Sequence, residues 1–366
     1  MIRENTTLMR EIIEKMDYMA RVMDAEHKVI YMNEKMRTLF SHTLGHICYN
    51  LLGKSEKCDH CVTSGSKETG KTDTKDVLIG DRYYEVMSSP VSINGGENYS
   101  IELLHDITDQ KKIQDELLKQ YEKLKLDLEF AKQIQYSTLP IDGDYWDSIK
   151  INAIYQPSED LGGDLFDIVK IDKEKTLLYI ADVSGHGVKS SLLTIFLRQL
   201  IRGRTYESTV DLKEILDTLI KSYNDLKINE EQYLSVLFCC YDKTKKELVL
   251  LNAGHNCLPM IVTKNGHMKE VIVRGMPICN LIQNPNHEEV VIKVESGDRI
   301  LLFTDGITEA YNDRGIPFGS EGITRIVKEN LQLDGKALAK KIVEGVNDYT
   351  GTLPIDDVAV IVAEIL

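Results

Sequence analysis

The chain has 366 residues, of which 42% are hydrophobic and 28% charged, and its 58 acidic against 44 basic side chains leave a net charge of −14. That length admits two domains and a linker, each domain with a core of its own. The acidic balance argues against a nucleic-acid surface, which needs clustered Lys and Arg, and no stretch approaches the roughly 20 apolar residues of a membrane helix.

From Met1 to Arg10 the sequence is polar and mixed in charge, with no signal-peptide core. Seven cysteines, an odd number in a chain this long, point to a reducing cytoplasm rather than a disulfide framework. Leu8, Ile12, Ile13, Met16 and Met19 recur at helical spacing, which predicts a helix over 7–20. Strand-like pieces follow at 18–23, 28–32, 83–87 and 99–104, the last two separated by the hairpin turn Asn94-Gly95-Gly96. With short helices between the strand pairs, this is a small α+β domain. The early strand pair runs into Asn33-Glu34-Lys35, and Asp106-Ile107-Thr108-Asp109 closes the last strand before a charged helix. On those residues the segment resembles a PAS sensor domain over about residues 15–108.

Inside it sit Gly45-His46-Ile47-Cys48 and Cys58-Asp59-His60-Cys61. Cys48, Cys58 and Cys61 with His46 could ligate zinc or iron or form a thiol redox site. The bland alternative is three thiols that pin an irregular loop by packing, and the lack of a second CxxC weighs toward it. From Gln110 to Gln135 there is no Gly or Pro, and Leu117, Tyr121, Leu124, Leu128 and Ala131 alternate at spacings of four and three. That seam predicts a coiled-coil-like linker helix and a parallel homodimer, against the alternative of a single amphipathic helix on its own domain. Pro140 and the Gly143 turn end it.

Beyond Ile141 strands dominate: 149–155, 165–171 and 176–181, then helices at 188–204 and 212–226. Strands return at 233–241, 247–252, 259–262, 268–273, 289–294 and 299–304, followed by helices at 323–331 and 335–349 and a closing strand at 358–365. Hairpins outnumber crossovers, so two mostly antiparallel sheets flanked by helices, an α-β-β-α sandwich, is the expected architecture. The predicted domains are a sensor at 1–108, a linker at 109–140 and an output domain at 141–366.

Four acidic points stand out in the output domain. Asp164 follows Gly162-Gly163; Asp182 ends an apolar strand; Asp305 ends another, in Phe303-Thr304-Asp305-Gly306; Asp356-Asp357 opens the last strand. If the last strand runs antiparallel to the other two, these acids share one edge of a sheet and need a cation to offset their repulsion. Oxygen-only ligands select hard ions, Mg²⁺ or Mn²⁺, and the surplus of carboxylates suggests two of them. Taken singly, each acid reads more readily as a turn or cap residue; the conjunction of strand, acid and glycine at several places is what favours the cation site.

The ordered motifs Gly162-Gly163-Asp164, Asp182-Val183-Ser184-Gly185-His186-Gly187, Asn252-Ala253-Gly254-His255-Asn256, Thr304-Asp305-Gly306-Ile307-Thr308-Glu309-Ala310 and Asp356-Asp357 resemble the bacterial sporulation-type branch of the metal-dependent phosphatase 2C family. Ala131-Lys132-Gln133-Ile134-Gln135, running to Leu139-Pro140, resembles the helical lead-in to that domain. The resemblance implies a serine/threonine phosphoprotein phosphatase in which Asp182 bridges two Mn²⁺ or Mg²⁺ ions and the Val183 carbonyl binds one of them. Asp305 and Asp356, with Asp357 beside them, would complete the ligand shell of the second metal, and Asp164 would bind directly or through water. An activated water would attack phosphorus, so no cysteine nucleophile is required. Many members of this family act in anti-sigma and partner-switching circuits, which implies a phosphorylated STAS-type antagonist as substrate. The sequence departs from eukaryotic members, which place a histidine where Ser184 stands; His186 is either a proton donor or a turn residue, and the second is favoured. His255 is expected to order its own loop.

The alternative function is a non-catalytic sensor and partner-binding module with an inactive phosphatase fold. A diguanylate cyclase is disfavoured because Leu165 occupies a position where that signature has an acid.

Overall fold

Strand alternation and helical periodicity sort the chain into two units, Met1–Leu124 and Lys125–Leu366, in a computed structural model that describes residues 2–40, 44–49, 55–93, 97–185, 187–205, 211–228, 232–280, 286–351 and 356–366. The first unit contains α1 (Ile2–Lys15), β1 (Met19–Met23), β2 (Val29–Met32), α2 (Glu34–Phe40), α3 (Val62–Thr69), β3 (Asp73–Ile79), β4 (Arg82–Ile93), β5 (Glu97–Asp106) and the start of α4 (Thr108–Thr138). Its five strands form one antiparallel sheet in the order β2-β1-β5-β4-β3. The helix expected over 7–20 stops at Lys15, because Met19, Ala20 and Met23 are buried in the sheet instead. Asn33 makes that junction: its Oδ1 accepts from Ala20 N and Met36 N, both at 3.0 Å, while its Nδ2 donates to the carbonyls of Ile13 and Tyr18. β3 escaped the sequence reading. Among the described residues it pairs only with β4, and Asp73, Lys75 and Asp76 make it a charged edge strand of the kind that discourages further pairing. The turn at 94–96 lies outside the described residues, although β4 and β5 pair up to it.

The second unit contains β6 (Gly143–Tyr145), β7 (Ile149–Gln156), β8 (Asp164–Lys170), β9 (Lys175–Val183), α5 (Val188–Thr205), α6 (Leu212–Asp225), β10 (Leu234–Asp242), β11 (Glu247–Ala253), β12 (Met260–Val262), β13 (Met268–Glu270), β14 (Glu289–Lys293), β15 (Arg299–Phe303), α7 (Asp305–Thr308), α8 (Gly319–Glu329), α9 (Gly335–Thr350) and β16 (Val358–Ile365). Two antiparallel sheets result, ordered β14-β11-β10-β9-β8 and β13-β12-β15-β16-β7-β6. The strand pleat decides what each face meets. In β9, Leu177, Tyr179, Ala181 and Val183 pack against α5 and α6, while Leu178 and Ile180 face the other sheet. In β16, Ala359, Ile361 and Ala363 face inward, while Val358, Val360 and Val362 meet α8 and α9. The layers are therefore helix, sheet, sheet, helix.

A buried charge on the helix-facing side of β8 breaks the apolar pattern of the β14-β11-β10-β9-β8 sheet. Asp167 on β8 is fully buried and accepts from Arg202 Nε and Nη2 at 2.6 and 2.8 Å, with Arg198 Nε at 3.1 Å. This ion cluster fixes α5, the helix that follows the Asp182 loop, to the sheet that carries Asp182. Among the described residues no helix is long and apolar enough to cross a membrane.

Candidate active site

The pleat that sorts the core also aims the acids. Asp182 has the parity of Leu178 and Ile180, and Asp164 that of Phe166 and Ile168; both therefore belong to the inter-sheet side of their strands. They are direct partners in the β8–β9 register. On the facing sheet, Asp305 follows the end of β15 and Asp356-Asp357 precedes β16, its antiparallel neighbour. Sequence reasoning expected one sheet edge. The structure instead draws the acids from both sheets, so they meet at the open end of the gap between the layers, where the apolar filling stops.

Glycines bring the two loops together. A β-carbon on Gly163 would stand 2.7 Å from the Val183 carbonyl, and one on Gly306 would stand 2.0 Å from the Asp357 carbonyl. Only hydrogen fits at either place, so the Gly162-Gly163 turn lies against the Asp182 loop and the Asp305 turn against the Asp356-Asp357 backbone.

Among the predicted site residues, Asp164 is buried, Asp182 and Asp305 are partly buried and Asp356 is exposed. Asp164 Oδ2 is buried with no hydrogen-bond partner. Burial first, then the charges of Asp182 and Asp357, holds the Asp164 carboxyl well above the usual carboxylate range. Asp182 is pushed up to about 7, by burial first and then by Asp305, Asp356, Asp357 and Glu309. Asp305 is raised to about 6 by burial, Asp356 and Glu309. This is the signature of acids crowded together without compensating positive charge.

Asp357 behaves differently from its neighbour. Its Oδ1 accepts from Ser158 N at 2.7 Å and Ser158 Oγ at 3.0 Å, and its Oδ2 accepts from Gly163 N. It thus latches the Gly162-Gly163 turn from the opposite sheet. Among the described residues, Asp356 accepts only its successor's amide, from Asp357 N at 2.8 Å. His186 lies outside the described residues. His255 does not order its own loop. Asn252 does, accepting from His255 N and donating to the carbonyls of His255 and Val273. The His255 ring instead crosses between sheets, with Nε2 3.1 Å from the Phe303 carbonyl and Nδ1 3.4 Å from Ser235 Oγ. A carbonyl only accepts, so Nε2 carries the proton.

Several contributors were not assigned a role from sequence. Glu309 lies inside a quoted motif, so its signal was present. Ser158 and Tyr155 carried none; the Tyr155 hydroxyl is buried without a partner. Gln135 on α4 donates to Gly162 O at 2.7 Å and accepts from Gly162 N at 3.2 Å, which ties the lead-in helix to the glycine turn.

In the first unit, Cys48, Cys58 and Cys61 line one cavity of about 40 Å³, beside the buried Arg21–Glu102 ion pair. His46 is exposed and does not line it. All seven cysteines are free thiols. Among the described residues, no group of three His, Cys, Asp or Glu side chains in either unit stands ready to hold a metal ion. The chemistry of the second unit's acids nonetheless fits a hard divalent cation. The side-chain donors are all oxygens, one buried carboxylate oxygen is orphaned, and the mutual repulsion calls for positive charge. The three thiols offer no comparable sign.

The family model described as Stage II sporulation protein E (SpoIIE) matches residues 172–366, more than half of the chain. The chain belongs to the SpoIIE family. The phosphoserine phosphatase RsbP of Bacillus subtilis is 26% identical over 190 residues, 50% of this chain and 46% of RsbP. The phosphoserine phosphatase RsbU of the same organism is 22% identical over 221 residues, 60% of this chain and 64% of RsbU. The chain thus spans between about half and two thirds of the length of these relatives. Among solved structures, the SiaA-PP2C domain of Pseudomonas aeruginosa matches with a TM-score of 0.56 and 19% identity, covering 71% of this chain and 99% of that one. A Bacillus subtilis SpoIIE fragment, its PP2C phosphatase domain with part of the regulatory domain, matches with a TM-score of 0.52 and 16% identity, covering 80% of this chain and 82% of that one. These two show that the SpoIIE-family unit has the PP2C fold.

Proposed function

We propose that this SpoIIE-family chain is a metal-dependent protein serine/threonine phosphatase, with its catalytic unit in residues 141–366. The observation that carries the reading is the meeting of carboxylates from both sheets, with Asp182 raised to about 7 and an orphaned Asp164 oxygen beside it. Asp182, Asp164, Asp305, Asp356 and the Val183 carbonyl are the residues that would hold two Mn²⁺ or Mg²⁺ ions. When bound, the ions supply positive charge to the phosphoryl oxygens and a water of lowered pKa. The protein supplies placement. Asp357 holds the Gly162-Gly163 turn against the Asp182 loop, and His255 ties the end of β11 to the end of β15 just before Asp305. The relatives named as phosphoserine phosphatases support the activity. The substrate we assign is a phosphorylated STAS-type antagonist of an anti-sigma factor.

For residues 1–108 we propose a PAS-like sensor, supported by the antiparallel order β2-β1-β5-β4-β3 with α2 and α3 set between the two strand groups. Residues 109–140 act as a dimerising linker. Leu117, Tyr121 and Leu124 are 66%, 64% and 57% exposed along one seam of α4, the apolar face a second copy would cover. The Gln135 contacts to Gly162 give the linker a direct hold on the catalytic turn. The free thiols are consistent with a cytoplasmic setting.

The test is Mn²⁺-dependent release of phosphate from a phosphothreonine peptide. Wild type is expected to turn over and Asp305→Asn to fall by at least about 100-fold, on the scale of losing one electrostatic contributor to a transition state. Equal activity in the two proteins would remove Asp305 from the site.

A further inference from the structure

The SpoIIE-family unit carries a groove of about 490 Å³ that the cation site does not use. One side is the 252–256 turn. The other is the extended segment 271–277, held down where Asn252 Nδ2 donates to the Val273 carbonyl at 3.0 Å. The segment is pressed close: a β-carbon on Gly275 would stand 1.6 Å from the Asn252 carbonyl, and one on Gly254 would stand 2.4 Å from Pro277. The groove is therefore a built surface rather than a loose flap.

Its near end is joined to the acids. Tyr233 lines the groove, and its backbone brackets Ser184, two residues past Asp182: Tyr233 N donates to Ser184 Oγ at 2.9 Å, and Ser184 N donates to Tyr233 O at 3.0 Å. Burial first, then the charges of Asp182, Asp305, Glu309 and Asp356, raises the Tyr233 phenol. Tyr233 is 42% exposed and Ile272 is 66% exposed. Among the described residues, Arg274 is the only cationic side chain lining the groove, since His255 is buried with its imidazole pushed down to about 4. Arg274 is exposed, with no acidic partner among the described residues. In a chain of net charge −14, that guanidinium is local positive charge in a mostly negative field.

We propose that this groove docks the polypeptide segment carrying the phosphorylated residue, with Tyr233 and Ile272 contacting its apolar side chains and Arg274 pairing with an acidic side chain that flanks the phosphoresidue. The inference rests on the phosphatase reading and adds a sequence preference to it: acid-flanked phosphosites over base-flanked ones. Guanidinium–carboxylate recognition gives orientation as well as attraction, and an opposed charge repels the wrong partner.

The experiment uses the full chain with Mn²⁺ and three probes: an aryl phosphate ester, a phosphothreonine peptide flanked by Glu, and the same peptide flanked by Lys. Arg274→Glu is expected to raise KM for the Glu-flanked peptide about tenfold and to reverse the preference between the peptides. The tenfold figure corresponds to one charge contact exchanged for a repulsion, and turnover of the aryl ester, which has no flanking side chain, stays within about twofold. Arg274→Gln is expected to fall between, with unchanged thermal unfolding for both variants. If Arg274→Glu handles both peptides as wild type does, while both proteins hydrolyse the aryl ester, the docking assignment is wrong and the phosphatase reading stands. If wild type hydrolyses none of the three probes, the phosphatase reading fails and the docking proposal with it.

Discussion

His255 offers a test of how the two sheets are joined at the site. Its ring is 5% exposed and sits between the Phe303 carbonyl and Ser235 Oγ. Burial, only partly offset by the Phe303 hydrogen bond, pushes its pKa down from 6.5 to about 4. The folded protein therefore refuses a proton that the unfolded chain accepts below about pH 6.5. The sign follows: the stability is fully present above pH 6.5 and is lost as pH falls toward 4. Two and a half units correspond to about 3 kcal/mol in the limit, and to about 2 kcal/mol between about pH 8 and about pH 5. The crowded carboxylates act in the opposite direction, because their raised pKa values make the fold more stable as pH falls. Wild type alone cannot isolate the histidine. His255→Gln keeps a donor for the Phe303 carbonyl and has no titration. Urea unfolding of both proteins in chelator at the two pH values should show wild type losing about 2 kcal/mol more than the variant on acidification. Equal losses would mean that the ring takes up its proton in place, and that the inter-sheet bridge described above does not exclude charge.

Two further perturbations separate positioning from ligation and packing from charge. Asp357→Ala strands the Ser158 and Gly163 amides, so it should cost about 2–4 kcal/mol by chelator-treated thermal unfolding. Asp356→Ala, which removes an exposed carboxylate, should cost under about 1 kcal/mol; equal costs would cancel the latch role of Asp357. Asp167→Ala removes the buried carboxylate that Arg198 and Arg202 share beneath α5 and should destabilise the second unit by about 3–5 kcal/mol in urea unfolding. A change within about 0.5 kcal/mol would mean that the ion cluster does not anchor that helix.

Much of the fold was written in local patterns. The closing strand at 358–365, the hairpin of β10 and β11, and helices α5 and α9 follow from residue alternation, turn residues and apolar stripes that act over a few neighbours. The acids were legible for a similar reason: a carboxylate at the end of a buried strand is conspicuous wherever the strand lies. The misses came where one part of the chain is decided by another. The stretch around Met19 has helical spacing, yet the sheet takes it because burial against β5 outweighs a weak local propensity. β3 is polar and reads as loop until β4 offers it a partner.

The site divides along the same line. Sequence alone determined which residues carry negative charge and which turns require glycine. Tertiary structure decided that the charges come from two sheets rather than one edge, that Asp357 is occupied by Ser158 and Gly163 while Asp356 is not, and that His255 serves the neighbouring sheet instead of its own loop. It also decided that Arg274, unremarkable in sequence, lines a groove with Tyr233, whose backbone is bonded to Ser184 in the Asp182 loop. Charge and backbone freedom belong to single residues and survive in one dimension. Hydrogen-bond partnership and proximity across about 200 positions depend on how the layers stack, and the order of letters does not record them.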